Sequence, residues 1–385
     1  MKYPLAALCW LIPALATAAP ASPPSPPAGY SLPTSAVVVA NGAQLAAALA
    51  KATPQNIILR DGTYTTSGYF NSSCGHRLYA QNLGRAVLTS GLSIGSDSCG
   101  QGAIVRGLKF AITNVNKSVI PYTPLNVNDT SVIEVWGNAR NVQLLDLNIA
   151  GNKVVGNGIS ARQPEGLQIK RVIAAGFRSV GVFVDADRFG LTVATPPVLE
   201  DLTIRHVSRP VPKSSDGTSE ACLWVGNTAT VARVKVRNCA WTGVWTGTAV
   251  RNALFSDIDI DVSALGIGLY IEHYTTNTTF QRMKIGPNLK LGAICEWADP
   301  AWNSKPACDG VILQDSTIDT TCAGFYLDEG TRNTTARRTT FLNQAKGAFA
   351  TTNGAHNILS DTRGNDYSGM KPGAQIVFEE NNPCH

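Results

Sequence analysis

A five-residue phrase recurs through the chain from Gly158 to Thr351: a small residue, then apolar, variable, apolar, variable. The copies are Gly-Ile-Ser-Ala-Arg (158–162), Gly-Val-Phe-Val-Asp (181–185), Cys-Leu-Trp-Val-Gly (222–226) and Gly-Val-Trp-Thr-Gly (243–247). They continue as Gly-Leu-Tyr-Ile-Glu (268–272), Gly-Ala-Ile-Cys-Glu (292–296), Gly-Phe-Tyr-Leu-Asp (324–328) and Gly-Ala-Phe-Ala-Thr (347–351). Most start 21 to 32 residues after the one before, with a longer gap from 181 to 222. A strand sends alternate side chains to opposite sides, so each phrase reads as a short strand with one apolar face. A propeller blade needs a repeat of about 40 residues or more. A sandwich needs closely spaced hairpin turns, which are scarce here. One coil per repeat fits, and the chain is expected to be an all-β, single-domain parallel β-helix.

Each phrase from 158 onward follows a second alternating stretch. Examples are Val142-Gln143-Leu144-Leu145-Asp146-Leu147-Asn148-Ile149, Ala229-Thr230-Val231-Ala232-Arg233-Val234-Lys235-Val236 and Val311-Ile312-Leu313-Gln314-Asp315-Ser316-Thr317-Ile318. Upstream, Arg77–Ala80, Ala86–Thr89 and Ala103–Phe110 read as strands. The composition agrees: 35 glycines, 44% hydrophobic and 15% charged residues suit turn-rich β-structure. Before the first strands, Asn41-Gly42 introduces the helix former Ala43–Ala50, with Asn41 as its N-cap. Then comes Asn56-Ile57-Ile58-Leu59-Arg60-Asp61-Gly62-Thr63-Tyr64. A solenoid exposes its core at the first coil, and a short apolar helix placed there covers it. This opening resembles that of right-handed parallel β-helix proteins of the pectin-lyase-like superfamily, many of them secreted polysaccharide-degrading enzymes. The resemblance covers Val37 to about Gly369 and implies a right-handed coil with an N-terminal capping helix.

Residues 1–18 read as a signal peptide: Lys2, an apolar run from Pro4 to Ala16, and the small-x-small pattern Ala16-Thr17-Ala18. Secretion to an extracellular or periplasmic space is expected. The run is too short to span a bilayer, and no later stretch qualifies, so no membrane partner is expected. Residues 19–35, rich in Pro, Ser and Ala, read as an extended linker, leaving 36–385 as the catalytic domain. Beyond the signal, the cysteines are 74, 99, 222, 239, 295, 308, 322 and 384. An even count in an exported chain suits disulfides. Closing nearest neighbours gives 74–99, 222–239, 295–308 and 322–384. The formal charge of +5 is mild and has no basic block, which argues against nucleic acid. Residues 355–385 lose the beat and are expected to cover the last coil.

The two faces of the phrase separate architecture from chemistry. Its second and fourth residues are apolar or nearly so and fill the core. Its third residues face outward: Ser160, Phe183, Trp224, Trp245, Tyr270, Ile294, Tyr326 and Phe349. So do its fifth: Arg162, Asp185, Gly226, Gly247, Glu272, Glu296, Asp328 and Thr351. Stacked about 4.8 Å apart, these form an aromatic column beside a column of acids, with two glycines leaving room for a ligand. Rings on a solvated face would stack on sugars, although such ladders also stabilise sheets under loops. Glu272, Glu296 and Asp328 on successive coils repel one another, an arrangement suited to acid/base chemistry. Glycoside hydrolysis needs two carboxyls, about 5–5.5 Å apart for retention or about 6.5–9.5 Å for inversion. Glu272, Glu296 and Asp328 are therefore the candidate catalytic residues, with Glu296 and either Asp328 or Glu272 as the acid and base and the third acid tuning them. Substrate-binding candidates are Asp185, Trp224, Trp245, Tyr270, His273, Trp297, Tyr326 and Glu329. The loop 296–303, stapled by Cys295–Cys308, would wall the groove.

The expected partner is a polysaccharide or oligosaccharide. The first alternative is a lyase acting on a uronate polymer, which would use a basic residue and Ca²⁺ on an acid ladder. Arg162 is the one outward base. Arg209-Pro210-Val211-Pro212 resembles the Arg-x-Pro element of pectate lyases, and Arg282-Met283-Lys284 the Arg-Ile-Lys of polygalacturonases. The Trp-Ile-Asp-His and Gly-His-Gly motifs of those families are absent. A second alternative is a non-catalytic glycan-binding cell-surface protein. No metal ligand set with Cys-x-x-Cys spacing and no nucleotide-binding glycine pattern is present, so no resident metal and no organic cofactor is expected, with Ca²⁺ reserved for the lyase.

Overall fold

The computed structural model describes residues 30–95, 101–113, 130–162, 165–185, 193–207, 221–226, 228–262, 266–295, 307–328, 330–352, 359–380 and 384. The fold is a right-handed parallel β-helix. Helix Gly42–Leu49 begins at Asn41, whose side chain accepts from the Gln44 N–H at 3.0 Å. Leu45 and Leu49 enter the core cluster that contains Val39, Ile57 and Tyr64, so the helix does plug the first coil. Tyr30, ahead of the first strand, is pinned to the body. Tyr30 donates its hydroxyl to the Ala80 carbonyl, and the Arg106 guanidinium lies 4.7 Å over its ring. Burial pushes the Tyr30 phenol up to about 12.

Coils then stack from 56–72 to 359–379, three strand segments to a coil. One coil shows the pattern. Leu254–Asp261 bends at Asp257, where φ is 56°, and Ile267–Ile271 closes the turn. Every strand pairing among the described residues is parallel to the coil above or below, as in Trp224↔Trp245↔Tyr270. The inner residues of the phrase line one continuous core: Val182, Leu223, Val244, Leu269, Ala293 and Phe325 are all fully buried. The small first position has a steric reason. A Cβ on Gly181 would lie 2.3 Å from the Ile204 side chain and 2.6 Å from the Cys222 carbonyl.

The bend in each coil carries a second repeat. Asp146, Arg171, Asp201, Arg233, Asp257, Arg282, Asp315 and Arg338 occupy it on successive coils, all with φ between 50° and 57°. That region disfavours residues with a Cβ, usually by about 1 kcal/mol or more. Here the alternation of charge compensates. Arg171 grips Asp146 at 2.5 and 3.1 Å, Arg233 grips Asp201 at 2.6 and 3.1 Å, Arg282 grips Asp257 at 2.6 and 2.8 Å, and Arg338 grips Asp315 at 2.5 and 2.9 Å. Hydrogen bonds from Arg233, Arg282 and Arg338 hold Asp201, Asp257 and Asp315 below the usual carboxylate range. Arg282 thus belongs to this corner and not to a substrate groove.

Two sequence expectations change. The phrase at 347–351 sits one residue out of step: Phe325 pairs with Phe349, and Tyr326 with Ala350. A one-residue slip moves every side chain to the other face. Phe349 is therefore in the core, edge-on to Phe341 at 5.1 Å, and Ala350 continues the outer column. The C-terminal stretch does cover the last phrase coil, but it keeps the beat in doing so. Leu359–Asp361, Asp366–Gly369 and Gln375–Glu379 form one further coil, the last pairing with Gly347–Thr351. Cys322–Cys384 ties the tail back to the strand Thr317–Leu327, and Cys222–Cys239 and Cys295–Cys308 also form as the spacing suggests. Cys74 is disulfide-bonded too, to a cysteine outside the described residues.

Candidate functional site

The acids and aromatics of the phrase meet on the outer face of the sheet formed by its copies. Register puts Ser160, Phe183, Trp224, Trp245, Tyr270, Ile294, Tyr326 and Ala350 in one column. Beside it the chain ends each strand with Arg162, Asp185, Gly226, Gly247, Glu272 and Asp328. Their backbone N–H groups bond one coil back, as in Asp185 to the Ala161 carbonyl at 3.0 Å and Gly247 to Val225 at 2.9 Å.

The rings do not stand open to solvent. Phe183, Trp224, Trp245 and Tyr326 are buried, and Tyr270 is half-buried. Trp224 stacks on Trp245 at 4.7 Å and 15°, and Trp245 on Tyr270 at 4.1 Å and 28°. Trp224, Trp245 and Tyr270 thus turn ring faces towards one another and not towards open solvent. What these side chains offer is their polar ends. Trp224 donates its indole N–H to Asp185 Oδ2 at 3.1 Å, and Trp245 donates to Glu272 Oε2 at 3.2 Å. Tyr326 donates its hydroxyl to Asp328 Oδ1 at 3.3 Å.

The gap at the two glycines is also filled from within. A Cβ on Gly226 would fall 1.9–2.0 Å from the carboxyl atoms of Asp185, and one on Gly247 would fall 2.9 Å from Asp185 Oδ2 and from Trp224 Nε1. Asp185, only 3% exposed, therefore leans over Gly226 towards Gly247. The next coil beyond Gly247 carries Glu272. Arg162 is not remote from all the acids: it stands one coil before Asp185, with its guanidinium 5.6 Å from the centre of the Phe183 ring.

Glu272 and Asp328 are half-buried, as is His273, whose ring meets Tyr274 edge-on at 4.7 Å. Glu272 is fixed at the strand end: its carbonyl accepts from the Thr275 hydroxyl at 2.8 Å. Glu296, Trp297 and Glu329, with the proposed wall 296–303, lie outside the described residues. So does the Arg209–Pro212 element.

The columns also continue towards the N-terminus in a way the phrase did not reveal. Ile133, Glu134 and Val135 pair with Ile159, Ser160 and Ala161, placing Glu134 in the outer column and Trp136 beside Arg162. Glu134 is fully buried, and Trp136 donates to Ser93 Oγ at 2.8 Å. The signal was present in Val132-Ile133-Glu134-Val135-Trp136. It escaped notice because Val132 stands where later copies have a small residue.

No family model matches the chain, and no curated protein matches it in sequence. Solved structures do match its shape. One is the catalytic domain of a GH87 α-1,3-glucanase variant in complex with tetrasaccharides, 13% identical, with a TM-score of 0.55 over 89% of this chain and 71% of that one. Another is a mannuronic acid specific polysaccharide family 6 lyase from human gut microbiota, 12% identical, with a TM-score of 0.51 over 87% of this chain and 84% of that one. With the stacked parallel coils and, among the described residues, one helix capping the first coil, they identify the fold as a right-handed parallel β-helix.

Proposed function

We propose that the protein is a secreted enzyme that hydrolyses glycosidic bonds of a polysaccharide or oligosaccharide along the outer face of this sheet. The observation that carries the reading is the pair Glu272 and Asp328: two half-buried carboxyls on one column, each accepting a hydrogen bond from an aromatic side chain. They stand two coils apart, about 10 Å at the ordinary coil spacing. That is near the wide end of the separation that leaves room for a water and inverts the anomeric centre. One carboxylic acid would give its proton to the glycosidic oxygen as the bond to the anomeric carbon breaks. The other carboxylate would take a proton from the attacking water. Glu296, in sequence register between them, takes the place of the third acid in this reading, and His273 that of a neighbour contacting substrate.

The names of the two solved structures, a glucanase and a polysaccharide lyase, support a carbohydrate substrate without choosing the reaction. The disulfides support an oxidising destination such as the cell exterior. Among the described residues no helix is long and apolar enough to cross a membrane.

The test is activity on a panel of plant, algal and microbial polysaccharides with product analysis. A hydrolase releases reducing ends without ultraviolet-absorbing unsaturated uronates. Products that absorb, together with chelator sensitivity, would point instead to a Ca²⁺-dependent lyase with Arg162 as the base. Retention of glycan without any product would mean a binding protein. Glu272→Gln should lower turnover by roughly 10²–10⁴-fold with the fold intact. Wild-type turnover in that variant would remove Glu272 from the chemistry.

A further inference from the structure

Asp185 reaches across two coils towards the strand that carries Glu272, and the route between them is continuous. Gly226 leaves the space that the Asp185 carboxyl fills. Asp185 Oδ2 holds the Trp224 indole by its N–H at 3.1 Å. Trp224 lies nearly parallel to Trp245, 4.7 Å away, and the Trp245 N–H in turn holds Glu272 Oε2 at 3.2 Å. An indole ring has two torsions, and its stacking fixes the plane but not the direction of the N–H within it. The acceptor fixes that direction. With Asp185 anchoring the first ring, the plane on which the second ring stacks is held in place, and within that plane the Trp245 N–H meets Glu272. Both rings and Asp185 are buried, so water does not compete strongly for these donors.

We propose that Asp185, Trp224 and Trp245 form a positioning relay that sets the place and orientation of the Glu272 carboxyl. Asp185 then acts through other side chains and is not itself a sugar-binding group. The proposal rests on the reading of Glu272 as a reacting group, and its test separates the two.

Three substitutions interrupt the relay at different links. Asp185→Ala removes the acceptor. Trp224→Phe and Trp245→Phe keep the stacked rings and remove one N–H each. Each is expected to lower kcat by roughly 10–100-fold, the scale of a small misplacement of a reacting group, with KM little changed. Asp185→Asn retains an acceptor oxygen for Trp224 and should recover most of the kcat lost in Asp185→Ala. Gly226→Ala, whose new methyl would occupy the place of the Asp185 carboxyl, should behave like Asp185→Ala. Circular dichroism and thermal melting verify the fold of each variant.

A second readout needs no substrate: the ultraviolet resonance Raman bands that report hydrogen bonding at the indole N–H. Asp185→Ala should weaken the bond at Trp224 and also disturb that of Trp245, which Asp185 does not touch. If the Trp245 signal stays unchanged, the relay is wrong whatever the kinetics. If Asp185→Asn is as impaired as Asp185→Ala, the charge of Asp185 is itself required and the positioning role fails. If Glu272→Gln keeps wild-type turnover while the Raman response is as expected, the relay stands and the reading of Glu272 as a reacting group fails.

Discussion

The same residue type is handled in two ways on two flanks of this β-helix. At the bend of the coil, Asp146, Asp201, Asp257 and Asp315 are each held by the next coil's arginine through two hydrogen bonds. On the outer face of the phrase strands, Asp185, Glu272 and Asp328 each take a hydrogen bond at one oxygen from a neutral aromatic donor. A guanidinium fork engages both oxygens and fixes the charge. An indole or phenol donor supplies direction without supplying a charge. Chemistry that moves protons needs the second kind of environment, and a scaffold that must hold left-handed corners needs the first.

The sharpest way to break this contrast is to remove charge at two acids only thirteen positions apart in sequence. Asp328→Asn should reduce turnover by roughly 10²–10⁴-fold, the usual span for a general acid or base. Asp315→Asn, at the corner, should leave kcat and KM at their wild-type values. Equal losses, or a loss confined to Asp315→Asn, would erase the distinction between the flanks. The comparison is read on any polysaccharide that the panel identifies.

Much of the architecture was legible because a coil obliges the chain to repeat. Inner positions such as Val182, Leu223 and Val244 must be apolar on every coil, and the sequence cannot hide that. The slip at Phe349 was not legible. Gly347-Ala348-Phe349-Ala350-Thr351 satisfies the small-then-alternating pattern in either register, and only packing on Phe341 decides between them. The corner ladder was written plainly in the alternation Asp146, Arg171, Asp201, Arg233, Asp257, Arg282, Asp315, Arg338. Read strand by strand, those charges look like solvated faces, and their pairing emerges only when coils are stacked. The candidate site was legible as columns but not as contacts. Gly226 and Gly247 announced a space without saying that Asp185 fills it, because the direction of a side chain along the coil axis is not a property of alternation.

Within the corner, burial should grade the effect. Asp146 has a side chain only 7% exposed and lies between Arg106, at 2.9 Å, and Arg171. Burial works to raise its pKa, but hydrogen bonds from Arg171 and Arg106 outweigh it and hold the carboxyl below its ordinary value. Asp146→Asn should therefore cost about 2–3 kcal/mol near neutral pH, measured by denaturant unfolding. The sign of the pH dependence follows. A carboxyl whose folded pKa is depressed contributes its full stability above the unfolded value, about 3.9, and loses it as pH falls through the folded pKa. The gap between wild type and Asp146→Asn should accordingly be constant from neutrality down to about pH 5 and shrink below about pH 4. A gap that persists in acid would mean that the asparagine disrupts packing and not an ion pair.

The smallest effect belongs to Asp257, whose side chain is 41% exposed against an Arg282 that is 50% exposed. Its geometry, at 2.6 and 2.8 Å, is as good as that at Asp146. Geometry alone would therefore predict a similar loss. Exposure argues otherwise, because solvent screens the attraction and both side chains are entropically costly to hold. Asp257→Asn should thus lower the melting temperature much less than Asp146→Asn. The difference should fade further when salt is raised from about 0.01 M to about 1 M, where the screening length falls from about 30 Å to about 3 Å. Asp146→Asn should be far less sensitive to salt. Were the two variants to respond alike, the ladder would have to be a uniform device whose members act through backbone conformation. The left-handed φ of 56° that Asp146 and Asp257 share would then be the property that matters.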